Sequence, residues 1–245
     1  MNVIVKELKR IADVRQREVL MRFFKTGKGQ YGEGDEFLGV KVSQTRAIVK
    51  AHWTECSDSD VEALITSSYH EVRLAGLLVL CKRYKAAKGE EAAQARIVEE
   101  YLGYTKYINN WDLVDLTAYE LLGDWYLTRN RSHLKEMARH GRSIWEQRIA
   151  IVSTMQFIRH GDFDTTLEIA QILIDHPHDL IHKAVGWMLR EVGKRDRQVL
   201  EGFLNPRYQT MPRTMLRYAI EKFPEPLRQK YLKGSFGELT RGGSI

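Results

Sequence analysis

Cysteine is scarce in this sequence, and long apolar runs are missing. Only Cys56 and Cys81 occur among the 245 residues, which excludes a disulfide-stapled scaffold and fits a reducing compartment. No run approaches the ~20 apolar residues that a membrane-spanning helix needs. The first residues, Met1–Glu7, become charged too early for a secretory signal peptide. We therefore expect a cytoplasmic protein with no membrane contact.

Proline is absent from the first 176 residues. All of the prolines come later, at Pro177, Pro206, Pro212, Pro224 and Pro226. Helices can therefore run unbroken through most of the chain, because proline is the residue that interrupts them. Apolar residues recur at spacings of three and four, and alternating strand patterns are nearly missing. The sequence predicts an all-α protein whose helices are joined by short polar turns.

Acidic residues do not balance basic residues evenly along the chain. The formal net charge is +6 and the pI is near 9.2. Residues 1–177 contain 25 basic and 25 acidic side chains, whereas residues 178–233 contain 12 basic and 6 acidic ones. A basic region suggests a polyanionic partner such as nucleic acid, although many basic proteins bind none.

Six charged residues recur near predicted helix starts, 27 to 42 residues apart: Arg46, Arg73, Asp115, Arg148, Lys183 and Arg213. The S-x-x-E capping boxes Ser68–Glu71 and Ser143–Glu146 precede two of them. This period is typical of paired-helix repeats, which stack into an α-solenoid with one position per repeat on its concave face. The alternative is that these charges are solvated residues near helix starts by chance. We predict one domain over residues 1–234, followed by a tail over residues 235–245.

One member of this row, Asp115, is acidic. A row of cations suits a sugar-phosphate backbone, but a carboxylate among them repels phosphate, so catalysis is the natural explanation for Asp115. Trp111 stands four residues before Asp115 and shares its helix face, and Lys183 and Trp187 repeat this spacing. A tryptophan beside a charge can stack on a base or sugar, but the same pattern also occurs at the edge of a core.

Other patterns have plainer interpretations. Residues Gly27–Gly32 fit G-x-G-x-x-G, but a helical pattern precedes them and acidic residues follow, so we predict a loop between helices. The histidines between 176 and 182 lack the remaining ligands of a zinc site, so no metal or other cofactor is expected. Asp112 is interpreted as a helix-start charge, and Trp53 and Trp125 as core residues.

Five segments carry a family resemblance when they are taken together. They are Phe37–Arg46 (FLGVKVSQTR), Asn110–Asp115 (NWDLVD), Trp145–Ala150 (WEQRIA), His182–Glu191 (HKAVGWMLRE) and Leu216–Lys222 (LRYAIEK). In this order they resemble the AlkD-type DNA alkylation-repair family over nearly the whole chain. The resemblance implies an α-solenoid of HEAT-like repeats with a concave DNA-binding face.

The resemblance also implies roles for individual residues. Asp115 matches the catalytic carboxylate, and Arg148 matches the cleft arginine. Trp111 and Trp187 match the cleft tryptophans that hold DNA around the lesion. The first-helix aromatic of the family, usually tyrosine, corresponds here to Phe23 or Phe24, neither of which has a hydroxyl. The residues expected to contact DNA are Phe23, Arg46, Arg73, Lys183, Arg190, Arg213 and Arg217.

By this resemblance the protein is a monofunctional DNA glycosylase of base excision repair. It would release positively charged purines, N3-methyladenine and N7-methylguanine, by hydrolysing the N-glycosidic bond. The implied partner is alkylated double-stranded DNA, bound by a monomer at the bacterial nucleoid. The alternatives are a catalytically silent binder of branched or damaged DNA and a protein-binding helical scaffold. Retention of Trp111, Asp115, Arg148 and Trp187 favours the enzyme.

Overall fold

The computed structural model describes residues 2–234, and this part of the chain is helical. The predicted all-α class is confirmed, because residues 2–234 contain no β-strand beyond an isolated bridge between Glu36 and Tyr69. The predicted tail, residues 235–245, lies outside the described residues. No helix within residues 2–234 is long and apolar enough to cross a membrane. The chain divides into two compact units, Met1–Trp125 and Tyr126–Ile245. One domain over residues 1–234 stays a prediction.

The first unit is built around one long buried helix, α5. Its helices are α1 Val3–Arg10, α2 Val14–Phe23, α3 Val42–His52, α4 Asp58–Ile65, α5 His70–Ala86, α6 Glu91–Gly103 and α7 Trp111–Asp115, with a π-helical turn at Tyr119–Gly123 and short 3-10 turns at Trp53–Glu55 and Thr105–Tyr107. Helix α5 packs against α1, α3, α4, α6 and α7. Every residue of α5 from His70 to Cys81 is buried, as expected for a central helix.

The second unit repeats this plan around α12. Its helices are α8 Ser132–His140, α9 Ile144–Ser153, α10 Met155–Arg159, α11 Asp164–Ile172, α12 Asp179–Gly193, α13 Arg197–Leu204, α14 Arg213–Ala219 and α15 Glu225–Lys233. Helix α12 packs against α9, α10, α11, α13 and α14. The approach of α14 requires Gly186, because a Cβ there would lie 2.5 Å from both the Met215 carbonyl oxygen and the Tyr218 Cβ.

Three members of the charged row, Asp115, Arg148 and Lys183, follow helix starts with a side-chain cap, and the cap at Ser143 is the predicted one. The side chains of Asn110, Ser143 and His178 each accept a hydrogen bond from a backbone N–H of the helix that follows. The second hydrogen bond of the predicted capping box at Ser143 differs from the prediction. The Glu146 carboxylate accepts a hydrogen bond from the backbone N–H of Arg142 at 2.7 Å.

The predicted capping box at Ser68–Glu71 is wrong. Helix α5 begins at His70, and Tyr69 precedes it without a side-chain cap. The Glu71 carboxylate turns away from its own helix start. It accepts hydrogen bonds from the backbone N–H groups of Leu38, Gly39 and Val40 at 2.8 to 3.0 Å. A long-range contact has therefore replaced the local one that the spacing indicated.

The expected burial of Trp53 and Trp125 is also wrong, because both are partly exposed. Trp53 begins the 3-10 turn after α3, and Trp125 ends the first unit, so neither lies in the middle of a packed helix. The buried tryptophan is Trp145 on α9, which is only 8% exposed. Periodicity identified the apolar helices, but it could not show that Trp53 and Trp125 lie where a helix ends.

Replacing the buried tryptophan should destabilise the protein most. We expect Trp145→Ala to lower the free energy of unfolding by about 3–5 kcal/mol, since a large core side chain leaves a cavity. Trp53→Ala serves as the control and should have a markedly smaller effect, because part of its surface is already in water. Urea denaturation followed by circular dichroism measures both. Equal losses for the two variants would contradict this account of the core.

Candidate functional site

A cavity of about 340 Å³ opens in the first unit. Helices α2, α5 and α7 and the segment 37–42 form its walls. Three of the predicted site residues, Phe23, Trp111 and Asp115, line it together. The structure thus gathers in one place residues that are up to 92 positions apart in the sequence.

Aromatic rings form one wall of this cavity. The Trp111 ring stacks on Phe24 with centroids 5.2 Å apart and meets the edge of Phe23 at 5.6 Å. Phe24 in turn stacks on Phe37 at 5.3 Å. Phe24 is 5% exposed and supports the wall from behind, whereas Phe23 is 58% exposed. Of the two candidates for the first-helix aromatic, Phe23 is therefore the one that a ligand in solution can reach.

The short helix α7 carries the tryptophan and the carboxylate. Trp111 is its first residue and Asp115 its last, so the predicted four-residue spacing holds within one helix. The side chain of Asp115 is partly exposed and lines the cavity beside the ring. A carboxylate next to a flat apolar wall suits a planar or cationic group, because rings attract cations through their faces.

A buried histidine links α7 to α5. His70 Nε2 lies 2.9 Å from Asp112 Oδ2, and His70 Nδ1 lies 3.3 Å from Asp35 Oδ2. All three side chains are at most 7% exposed. A neutral imidazole has only one N–H, so donation to both carboxylates requires the imidazolium. Asp112 is the acidic residue in the first turn of α7, as interpreted, and its carboxylate also binds the buried His70.

The pKa values in this cluster follow from the same contacts. Burial lowers the pKa of His70, but the charge of Asp112 and the hydrogen bonds to Asp112 and Asp35 outweigh it and raise that pKa to about 9. Burial raises the pKa of Asp35, but the hydrogen bond from His70, the charge of Arg73 and the Asn109 amide together lower it. Two cations and two carboxylates thus share one buried site.

Arg73 belongs to this cluster and not to an exposed row. Its Nη2 donates to Asp35 Oδ1 at 2.6 Å and to Asn109 Oδ1 at 3.0 Å, and its Nη1 donates to the carbonyls of Ser67 and Ser68 at 2.9 Å. The side chain is 5% exposed. The expected DNA contact of Arg73 is corrected accordingly, because its guanidinium is already used inside the first unit.

The segment 37–42, which forms another wall of the cavity, is held by Glu71 and shaped by Gly39. The backbone at Gly39 has φ +87°, a conformation that other residues rarely adopt. A Cβ at this position would also lie 2.0 Å from the Asp13 carbonyl oxygen. Glu71 accepts hydrogen bonds from three successive N–H groups of the same segment. These hydrogen bonds and the close packing at Gly39 together fix this wall.

In the second unit, Arg148, Lys183 and Trp187 lie on α9 and α12, which pack together. Arg148 is 5% exposed and donates from Nη1 to the carbonyl of Leu180 in the first turn of α12. Lys183 forms an ion pair with Asp179 at 2.8 Å, and Trp187 is partly exposed. Lys183 and Trp187, which stand one turn apart on α12, are therefore accessible, whereas Arg148 is mostly enclosed.

The remaining predicted DNA contacts of this unit differ from one another. Arg190 is paired with Glu191 and Glu221, and its contact with DNA stays a prediction. Arg213 is exposed and donates to the carbonyl of Leu232 at 2.6 Å. Arg217 is exposed on the same helix, α14.

Sequence reasoning missed His70, Asp35 and Asn109. They lie 35 to 74 residues from their partners, and no local spacing marks them. A histidine directly before an acidic residue at a helix start was the one visible sign, and it resembles a capping pattern. Among residues 2–234, no group of three His, Cys, Asp or Glu side chains is placed to hold a metal ion.

The fold and the cavity define an all-helical repeat protein in which a carboxylate and a tryptophan line the same cavity. The chain matches the family model described as DNA alkylation repair enzyme over residues 4–223, and it belongs to that family. Membership supports a role in alkylation repair, and the resemblance stated from the sequence segments is confirmed.

A solved structure has a similar fold. It is described as a predicted DNA alkylation repair enzyme from Enterococcus faecalis, with 16% identity and a TM-score of 0.65. The similarity covers 87% of this chain and 97% of that one, and it supports the predicted α-solenoid fold class. No curated protein gives a significant match.

The buried histidine should make stability depend on pH. The pKa of His70 is raised from 6.5 to about 9 in the folded protein, so its contribution is complete below about pH 6.5 and is lost as pH rises through about 9. The loss should be on the order of 1.4 kcal/mol for each unit by which the pKa is shifted. Urea denaturation between about pH 6 and about pH 10 measures it.

The matched variant is His70→Gln, which keeps a polar side chain but cannot be protonated. It should be less stable than the wild type near neutral pH, and its stability should lack this decline. Superimposable pH profiles for the two proteins would show that His70 is not an imidazolium between Asp35 and Asp112.

Proposed function

We propose that this protein is a DNA glycosylase that releases positively charged N3- and N7-alkylpurines from double-stranded DNA. Family membership supplies the repair context, and the observation that carries the proposal is the pairing of Asp115 with Trp111 in one aromatic cavity. The enzyme would be monofunctional, monomeric and independent of metal or cofactor.

The proposed chemistry suits a lone carboxylate. An alkylated purine that is already cationic is a good leaving group, so its departure needs no general acid. The bond breaks with both electrons going to the base, which leaves an oxocarbenium-like sugar, as in other glycoside hydrolysis. Ionised Asp115 would stabilise this cation and accept a proton from the water that adds to the sugar carbon. The products are the neutral free base and an abasic sugar.

The other site residues would hold the DNA. Trp111 and Phe23 offer ring faces and edges at the cavity, and Trp187 offers a second partly exposed ring on α12. Lys183, Arg213 and Arg217 are proposed to contribute positive charge near the DNA backbone, and the enclosed Arg148 to hold the first turn of α12 through the Leu180 carbonyl. An arrangement of these residues along one concave face remains a prediction.

The direct test is to incubate the protein with methylated double-stranded DNA and identify the released bases by mass spectrometry. Free N3-methyladenine or N7-methylguanine supports the proposal. Tight binding of damaged or branched DNA without base release would favour the silent binder. A protein that binds no DNA would favour the protein-binding scaffold.

The role of Asp115 predicts a large effect on chemistry and a small one on folding. Asp115→Asn should slow single-turnover base release by roughly a hundredfold or more, since it removes the charge that stabilises the cationic sugar. DNA affinity should hold or rise, because an anion near phosphates is lost. Asp58→Asn is the control, as this carboxylate is 89% exposed and pairs with Arg83 at the surface. Unchanged release by a folded Asp115→Asn protein would remove Asp115 from the mechanism.

The two proposed cleft tryptophans should matter for excision more than other partly exposed tryptophans. Trp111→Ala and Trp187→Ala should each slow base release by about tenfold, the effect of losing one stacking contact of roughly 1–3 kcal/mol. Trp53→Ala has comparable partial exposure but lies outside the cavity, and it should release the base at the wild-type rate. Single-turnover kinetics at matched DNA saturation compare the three. Equal slowing in all of them would point to a general loss of structure.

A further inference from the structure

A second depression in the first unit is surrounded by positive charge. It has a volume of about 180 Å³ and lies between α3 and α5. Arg46 and Lys50 stand one turn apart on α3, and Lys82 and Lys85 lie on α5. Glu120 is the one acidic residue that lines it. Four cations and one carboxylate give a local charge of +3.

Three of these cations have no ion-pair partner within residues 2–234. Lys85 is the exception, since its Nζ lies 3.0 Å from Glu120 Oε2. The arginines elsewhere on α5 are both paired, Arg73 with Asp35 and Arg83 with Asp58. Among the cations of α5, Lys82 is therefore the one without an ion pair within residues 2–234, and it lines the depression together with Arg46 and Lys50 of α3.

The floor of the depression is apolar. Val49, Leu78 and Cys81 are each at most 6% exposed and lie beneath the charged rim. This apolar floor adds no counter-charge, and Glu120 is the one carboxylate that lines the depression, so the cations around it repel one another. A protein retains such a cluster at some cost in stability, and a bound anion removes that cost.

We propose that this depression binds a backbone phosphate of DNA. Arg46 can donate two parallel N–H groups to phosphate oxygens, and Lys50 and Lys82 add point charges on either side. The site would fix the register of the duplex on the first unit and carry no sequence information. This inference rests on the proposed function for its DNA partner, and it assigns Lys50 and Lys82 a role that the helix-start pattern did not include.

The closing experiment measures binding to undamaged duplex DNA at several salt concentrations. The variants are Arg46→Gln, Lys50→Gln and Lys82→Gln, singly and together, with Lys88→Gln as the control. Lys88 is an exposed lysine in the turn after α5 and lies outside the depression. Circular dichroism melts verify folding, which these exposed or partly exposed positions should not disturb.

The triple variant should reduce the slope of log affinity against log salt by about one unit or more, because each phosphate that is no longer neutralised keeps its counterions. Lys88→Gln should leave the slope unchanged. A triple variant with the wild-type slope would overturn the inference.

These outcomes separate the inference from the proposed function. If the wild type releases no alkylated base but the triple variant still loses salt-dependent DNA affinity, the glycosylase proposal fails and the phosphate site stands. If base release is intact and the slope of the triple variant is unchanged, the phosphate site fails and the glycosylase proposal stands.

Discussion

The site in the first unit depends on a histidine held between two buried carboxylates. His70 connects Asp35, in the segment after α2, to Asp112 in the first turn of α7. Helix α7 has only five residues and cannot fix its own orientation through backbone hydrogen bonding. The ion cluster supplies that orientation, and Trp111 and Asp115 flank Asp112 on the same short helix. The geometry of the cavity therefore depends on charges that have no part in the proposed chemistry.

Much of the architecture could be predicted from the sequence, because helical periodicity and capping are local. Ser143 caps α9 where the S-x-x-E pattern placed it, and Trp111 and Asp115 share one helix as their spacing required. The failures occur where a long-range partner replaced a local one. Glu71 binds the backbone of residues 38–40 and not its own helix start, and Arg73 binds Asp35 and not an external anion. Spacing alone gives no information about such partners.

The charges of the molecule fall into two groups with different consequences. Arg73, Arg148 and Arg190 are engaged within their own units and stabilise the packing of neighbouring segments. Arg46, Lys50, Lys82 and Arg217 have no ion-pair partner within residues 2–234. The net charge of the protein therefore does not show which basic side chains are free of ion pairs and which are already engaged. Counting basic residues along the chain could indicate a polyanionic partner but could not show which cations are available to it.

The cluster of Asp35, His70, Arg73 and Asp112 also limits how this sequence can change. With His70 protonated, its two positive and two negative charges cancel, and any single charge-altering substitution leaves an unbalanced ion in the interior. Tolerated changes must then come in compensating pairs, such as loss of one carboxylate together with loss of the imidazolium. Among relatives that keep the same helix α7, these four positions should vary jointly or not at all, although none of the four is needed to contact DNA.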